Sequence, residues 1–240
     1  MYKSIKNNIL SIPVFGILYL FTSVIVILSI ISAHLNLRKI LFAVVFFWSE
    51  TVFLLMGKKL KIIGREHLEK NKKYIILANH GSLFDITAMM AFYPGVAWFG
   101  KEYLLKVPVF GHVLKMTGYI PMKTANVKNT KEMLNQLVQK SSGSSIGMFP
   151  EGTRTLDGQI HKFHKGFIYL MRSSGLDLLP VTLNGLYDLK PKTRFAINFS
   201  AKVEVVIHPP IKNEDIANKD ENEIIEIVRN TIVSAYKVKN

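Results

Sequence analysis

Tyr74-Ile-Ile-Leu-Ala-Asn-His80-Gly-Ser82-Leu-Phe-Asp85-Ile-Thr-Ala-Met-Met90 passes from an unbroken apolar run into a stretch with helical spacing, across a short polar joint. An apolar run of that length suits a strand covered on both faces, as in a parallel sheet. Ser82 followed three residues later by Asp85 has the form of a capping box, which predicts a helix over Ser82–Ala91. With Ser82 as the cap, His80 lies just outside the helix and Asp85 in its first turn, so a short loop at Gly81 lets the carboxylate meet the imidazole. A histidine held by a carboxylate is suited to take a proton from a hydroxyl nucleophile. The acid fixes its tautomer and stabilises the imidazolium. On these residues alone, the spacing fits equally an Asp85 that only caps a helix beside a loop histidine.

Working outward, short β-branched runs alternate with helical stretches from Gly57 onward. Candidate strands are Leu60–Ile63, Tyr74–Ala78, Val96–Phe99, Ser145–Phe149, Leu178–Leu183 and Lys202–Ile207; Asn126–Lys140 and Lys165–Ser173 read as further helices. That alternation predicts an α/β domain with a mostly parallel central sheet flanked by helices, spanning residues 57–240. Lys219–Tyr236 starts acidic and repeats Ile224, Ile225, Val228 and Ile232 at helical spacing, the pattern of a terminal amphipathic helix.

The first 56 residues differ in kind. Between Lys6 and Arg38 there is no Lys, Arg, Asp or Glu, and this segment raises the mean hydropathy of the chain to +0.21. Residues 9–33 are long enough to cross a bilayer core, which takes roughly 20 apolar residues. Ile40–Met56 is shorter and contains Glu50. The run is too long for a cleaved signal peptide and lacks a clear small-residue cleavage site. Two full spans would put Arg38 and Lys39 across the membrane from Lys3, Lys6 and the Lys58–Lys59–Lys61 cluster, against the positive-inside tendency. A helical hairpin that dips into one leaflet keeps all of these on one side, where an anionic leaflet attracts them. Residues 57–212 carry 23 basic and 10 acidic side chains, which suits an anionic partner. The chain has no cysteine, so disulfides, thiolate metal sites and a cysteine nucleophile are excluded.

A second constellation follows the Ser145–Phe149 run. Pro150-Glu151-Gly152-Thr153-Arg154 places a carboxylate and a guanidinium three residues apart on a rigid turn. The planar fork of Arg154 suits a phosphate, and Glu151 can accept from a hydroxyl or orient the arginine. The same turn also reads as a surface loop. Downstream, His161-Lys-Phe-His164-Lys165 adds positive charge at a helix start. Between the two constellations, Lys101…Pro108-Val-Phe110-Gly111 and Gly118-Tyr-Ile-Pro121-Met-Lys123 bring further lysines, with Leu104, Leu105, Val109 and Phe110 free to pack a core or line a tunnel.

Asn79-His80-Gly-Ser82-Leu-Phe-Asp85, the Lys101–Gly111 block, Phe149-Pro-Glu-Gly-Thr-Arg154 and Leu179-Pro180-Val181, in this order, resemble the four sequence blocks of the glycerolipid acyltransferases, and within that family the bacterial 1-acylglycerol-3-phosphate acyltransferases. The resemblance covers roughly residues 57–212. Gly81 stands where a Gln is common and Lys123 where an Arg is common. The resemblance implies an acyl-CoA or acyl-carrier-protein donor and lysophosphatidic acid as acceptor, with phosphatidic acid as product. It implies direct attack by the sn-2 hydroxyl, with His80 as general base and Asp85 orienting it. Glu151, Gly152, Thr153 and Arg154 would hold the glycerol phosphate, with Lys101 and Lys123 in support. Backbone amides beside Gly81 or Gly152 are candidates for the oxyanion. No cofactor and no metal is required, and His161 with His164 would need further ligands to bind one. The implied setting is the cytoplasmic face of a bacterial plasma membrane.

Rival readings are another lysolipid acceptor, glycerol 3-phosphate, or a catalytically silent lipid-binding protein. The late acyltransferases of lipid A assembly share the histidine–carboxylate spacing but not the Phe149–Arg154 block. A nucleic-acid-binding domain lacks any helix-turn-helix or stacking motif here and leaves the apolar N-terminus unexplained.

Overall fold

The computed structural model describes residues 2–106, 111, 119–122 and 144–237. Two helices lead, α1 (Tyr2–His34) and α2 (Arg38–Leu55). They are followed by β1 (Lys61–Ile63), β2 (Tyr74–Ala78), α3 (Asp85–Met90), β3 (Val96–Lys101), β4 (Ile120–Met122), β5 (Ser145–Met148), α4 (Gly166–Ser174), β6 (Asp177–Asn184), α5 (Leu186–Leu189), β7 (Glu204–Ile207), α6 (Asn213–Ile216) and α7 (Glu221–Ser234). The strands form one sheet in the order β1-β7-β6-β2-β5-β3-β4. Every neighbouring pair is parallel except β6 and β7, which pair antiparallel from Val181↔Ile207 to Asn184↔Glu204. The expected mostly parallel sheet is therefore present, with β1 and β7 running against the other five strands. The expected helix over Asn126–Lys140 lies outside the described residues.

Strand β2 is central, and all five of its residues are buried. Its period of two divides the core. Tyr74, Ile76 and Ala78 face a cluster with α3 and the N-terminal helices, including Phe53, Trp48 and Met89. Ile75 and Leu77 face the other side, with Phe163, Phe167 and Met171 around α4 and Ile224, Val228 and Ile232 of α7. The last three form the stripe seen in the sequence. Helix α7 is capped by Asp220, whose carboxylate accepts from Asn222 N at 2.8 Å.

Helices α1 and α2 form an antiparallel hairpin, turned at Asn36 with φ 56° and tied by Trp48 Nε1 donating to Thr22 Oγ1 at 3.1 Å. Its base is fixed to the α/β part: Ile197 N donates to Ser11 Oγ at 2.8 Å, Phe15 packs on Phe195 with ring centroids 5.3 Å apart, and Phe53 packs on Phe84. Among the described residues one helix segment, Ile5–His34, is long and apolar enough to cross a membrane, with mean hydropathy 2.7 and only 22% of that window buried. A largely uncovered apolar helix favours membrane association over a role as a soluble core helix.

Candidate active site

Parallel strands β2, β5 and β6 end at one edge of the sheet, where open α/β sheets bind ligands. The residues after β2 and β5 meet there. Asn79 clamps the end of β2 to β6, donating to Leu183 O at 3.0 Å and accepting from Leu183 N at 2.7 Å. His80 follows immediately, and α3 begins at Asp85. The helix therefore starts three residues later than Ser82, with Phe84 at the cap position. Half of the expected capping box exists: the Asp85 carboxylate reaches back to Ser82 N at 2.8 Å. The Ser82 hydroxyl instead donates to Lys190 O at 2.8 Å and accepts from Phe84 N at 3.3 Å.

Asp85 is fully buried. Its Oδ2 accepts from Gly81 N at 2.7 Å and Ser82 N, and lies 2.7 Å from His80 Nδ1. With Nδ1 as the donor, the lone pair of His80 sits on Nε2, the form a general base requires. Phe149 stacks on the imidazole at 3.9 Å and 11°, and Trp98 lies behind Phe149 at 5.5 Å. The ring is thus held in plane by packing and in rotation by the carboxylate.

Glu151 sits beneath this pair, and its two oxygens are taken up by the main chain: Oε1 accepts from His80 N at 2.8 Å and Oε2 from His161 N at 2.9 Å. Burial pushes its carboxyl above the ordinary glutamate range, and the two amides pull it back. The geometry places Glu151 as a strap between the β2 and β5 loops, not against Arg154. Thr155 N donating to His80 O at 2.8 Å makes a second tie between them. Gly152 turns the intervening chain at φ 70°, where a residue without Cβ is favoured, and is exposed together with Thr153.

Arg154 is half-buried and has no carboxylate partner among the described residues. Beside it lies Lys190, whose ammonium is pushed below its ordinary range by burial first and then by the charges of Arg154 and Arg194. No motif in the sequence points to Lys190, which stands 36 residues beyond Arg154 and arrives on the loop after α5. Two cations close together, neither with a carboxylate partner among the described residues, make a corner whose charge suits an anion such as a phosphate. Lys101 closes β3 by its backbone, and Lys123 lies outside the described residues. The amides of Gly81, Ser82 and Gly152 are not free for an oxyanion: the first two serve Asp85, and Gly152 N donates to Phe149 O at 3.0 Å.

The sheet edge of this α/β fold carries a histidine–carboxylate pair whose geometry suits base-assisted chemistry. The sequence profile of the Acyltransferase family matches residues 59–184, and the chain belongs to that family. Among its relatives are the chloroplastic 1-acyl-sn-glycerol-3-phosphate acyltransferase BAT2 of Brassica napus, 30% identical over 70% of this chain and 50% of the relative. The 1-acyl-sn-glycerol-3-phosphate acyltransferase of Borreliella burgdorferi is 28% identical over 75% of this chain and 72% of that protein. This chain spans about half the length of the plant relatives it matches. The crystal structure of the 1-acyl-sn-glycerophosphate (LPA) acyltransferase PlsC from Thermotoga maritima has the same fold, with TM-score 0.82 and 24% identity over 99% of this chain and all of that one.

Proposed function

We propose that the chain transfers an acyl group from an acyl-CoA or acyl-carrier-protein thioester to the sn-2 hydroxyl of lysophosphatidic acid, giving phosphatidic acid. The observation that carries this reading is the His80–Asp85 pair beside Arg154, a general base next to a guanidinium that has no carboxylate partner among the described residues. His80 Nε2 takes the hydroxyl proton as the oxygen attacks the thioester carbonyl, and the imidazolium then protonates the departing thiolate. Asp85 holds the tautomer and faces the imidazolium that forms. Arg154, with Lys190 behind it and the Gly152–Thr153 turn in front, receives the acceptor phosphate; Lys101 and Lys123 support the same anion. Glu151 borders this pocket as a positioning residue, setting the main chain of His80. The relatives named for this reaction support the choice of acceptor.

Residues 1–56 form a membrane-anchoring unit and residues 57–240 the catalytic unit, with the basic face of the latter on the cytoplasmic side of the membrane. The test is purified full-length protein given lysophosphatidic acid and a panel of acyl thioesters, with products read by mass spectrometry. Phosphatidic acid is expected from the wild type and none from His80→Ala. Turnover with another lysolipid alone would move the assignment to that acceptor. Arg154→Ala is expected to raise KM for lysophosphatidic acid by roughly tenfold or more, the worth of one charge-assisted contact, with a smaller effect on kcat.

A further inference from the structure

A cavity of 860 Å³ opens at the foot of α2, lined by Lys58, Lys59, Lys61, Lys202 and Lys237. None of His80, Asp85, Arg154 or Lys190 lines it, and Asn184 at the end of β6 forms part of its wall. Its acidic lining residues are Asp188 and Glu204. The Glu204 carboxylate is already matched twice, by Lys237 at 2.5 Å and Lys61 at 3.3 Å. Lys59 and Lys202 are exposed and have no carboxylate partner among the described residues. Lys58 is only 8% exposed, and its ammonium donates to Phe199 O. Burial works against the charge of Lys58, and an anion in the cavity would restore it.

What surrounds the cavity narrows the anion. Leu54 and Leu55, the last residues of α2, are both exposed, and Gly57, at φ 66°, turns the chain directly into the lysines. An uncovered apolar helix face therefore runs straight to the rim of a cationic cavity. A ligand that satisfies both has hydrocarbon along the helix and a phosphate at its end. We propose that this cavity is a second lipid site, which takes the phosphate headgroup of an anionic phospholipid whose chains lie along α2. The site rests on the bilayer association put forward above. It couples the enzyme to the charge of its own membrane through a contact separate from the reacting acceptor.

The full-length chain in neutral detergent is titrated with dioctanoyl-phosphatidylglycerol, dioctanoyl-phosphatidylcholine and inorganic phosphate, and bound lipid is counted by native mass spectrometry. Phosphatidylglycerol is expected to bind roughly tenfold or more tightly than the other two, and Lys59→Glu/Lys202→Glu to lose that margin. The milder Lys59→Gln/Lys202→Gln pair is expected to lose part of it, and both variants to keep wild-type turnover in neutral detergent. Unchanged lipid binding in both variants would overturn the site. So would equal binding of phosphatidylcholine, equal binding of inorganic phosphate, or displacement of the lipid by coenzyme A, which would assign the cavity to the donor. Flotation on phosphatidylcholine vesicles separates the two readings. A wild-type chain that does not float removes the bilayer association, whereas a floating chain with no preference for the anionic lipid removes only this site.

Discussion

At the scale of single residues, the site consists of a few side chains with distinct tasks. Asp85 matters through one oxygen, which gathers His80 Nδ1 and the amides of Gly81 and Ser82. Asp85→Asn keeps the shape but presents either a weaker acceptor or an N–H to three donors. The imidazole then loses its orienting partner. The expected result is a kcat lower by roughly 10²- to 10⁴-fold with KM for the acceptor little changed, measured by steady-state kinetics on folded protein. A fall confined to KM would instead make Asp85 part of acceptor binding. The spacing of His80 and Asp85 was legible in the sequence because both partners lie within one turn of chain. The contacts of Glu151 were not, because what it binds are main-chain amides, and those carry no residue code. Lys190 was hidden for a different reason: its neighbours in space are remote in sequence.

At the scale of elements, six of the seven described strands were legible, the short β1, β5 and β7 among them, and β4 was not. Tyr74–Ala78 and Asp177–Asn184 are buried along nearly their whole length, so their composition announces them. Ile120–Met122 has three residues with a proline in the middle and pairs on one side only, at the end of the sheet order, where a proline is tolerated. Helix α3 starts at Asp85 and not at Ser82 because the Asp85 carboxylate binds the amides of the loop before it as well as opening the helix after it. Packing between strands reaches the site through Gly147 of β5. A Cβ there would come within 2.6 Å of Val96 Cγ1 and 2.7 Å of the Trp98 ring. Trp98 backs Phe149, which stacks on His80, so Gly147→Ala is expected to cost about 1–3 kcal/mol of stability and to lower kcat as well. Denaturant melts and kinetics on the same preparation check this, and an unaltered kcat would show that the aromatic stack does not set the imidazole. The β6–β7 pair carries a pH dependence of its own. Thr182 Oγ1 donates to Ile232 O at 2.6 Å, so His208 Nε2, 2.8 Å away, is the donor to that hydroxyl in neutral histidine. Burial first, and then nearby His67, lowers the affinity of His208 for a second proton. As pH falls through the ordinary histidine range, the unfolded chain takes up that proton while the folded chain does not, so stability is lost in that window. Denaturation midpoints from pH 7 to pH 5 are expected to fall less in His208→Gln than in the wild type. Parallel curves would remove His208 from the account.

At the scale of the whole molecule, the question is how the hairpin sits in a bilayer. The base of the hairpin is pinned to the α/β part at Ser11, Phe15 and Phe53, and its two helices are pinned to each other at Trp48 and Thr22. The hairpin as a whole therefore begins and ends on the side of the α/β part, with α1 running to the turn at Leu35–Leu37 and α2 running back from it. Arg38 and Lys39 stand at that turn, while the Lys58–Lys59–Lys61 group stands at the base. A full crossing would carry the first pair to the opposite membrane face, whereas a shallow insertion leaves both near one leaflet, with long side chains reaching back to water. Because the chain has no cysteine, a single introduced thiol reports unambiguously. Asn36 is the obvious tip by sequence, but it holds φ 56°, a conformation that asparagine tolerates better than cysteine. Leu37 is exposed with φ −85° and accepts the change without backbone strain. In intact cells Leu37→Cys is expected to resist a membrane-impermeant maleimide added from outside and to react with a permeant one. Full labelling by the impermeant reagent would place the turn beyond the far leaflet, make α1 a span, and put Lys3 and Lys6 on the same side as the catalytic histidine only if α2 crosses back.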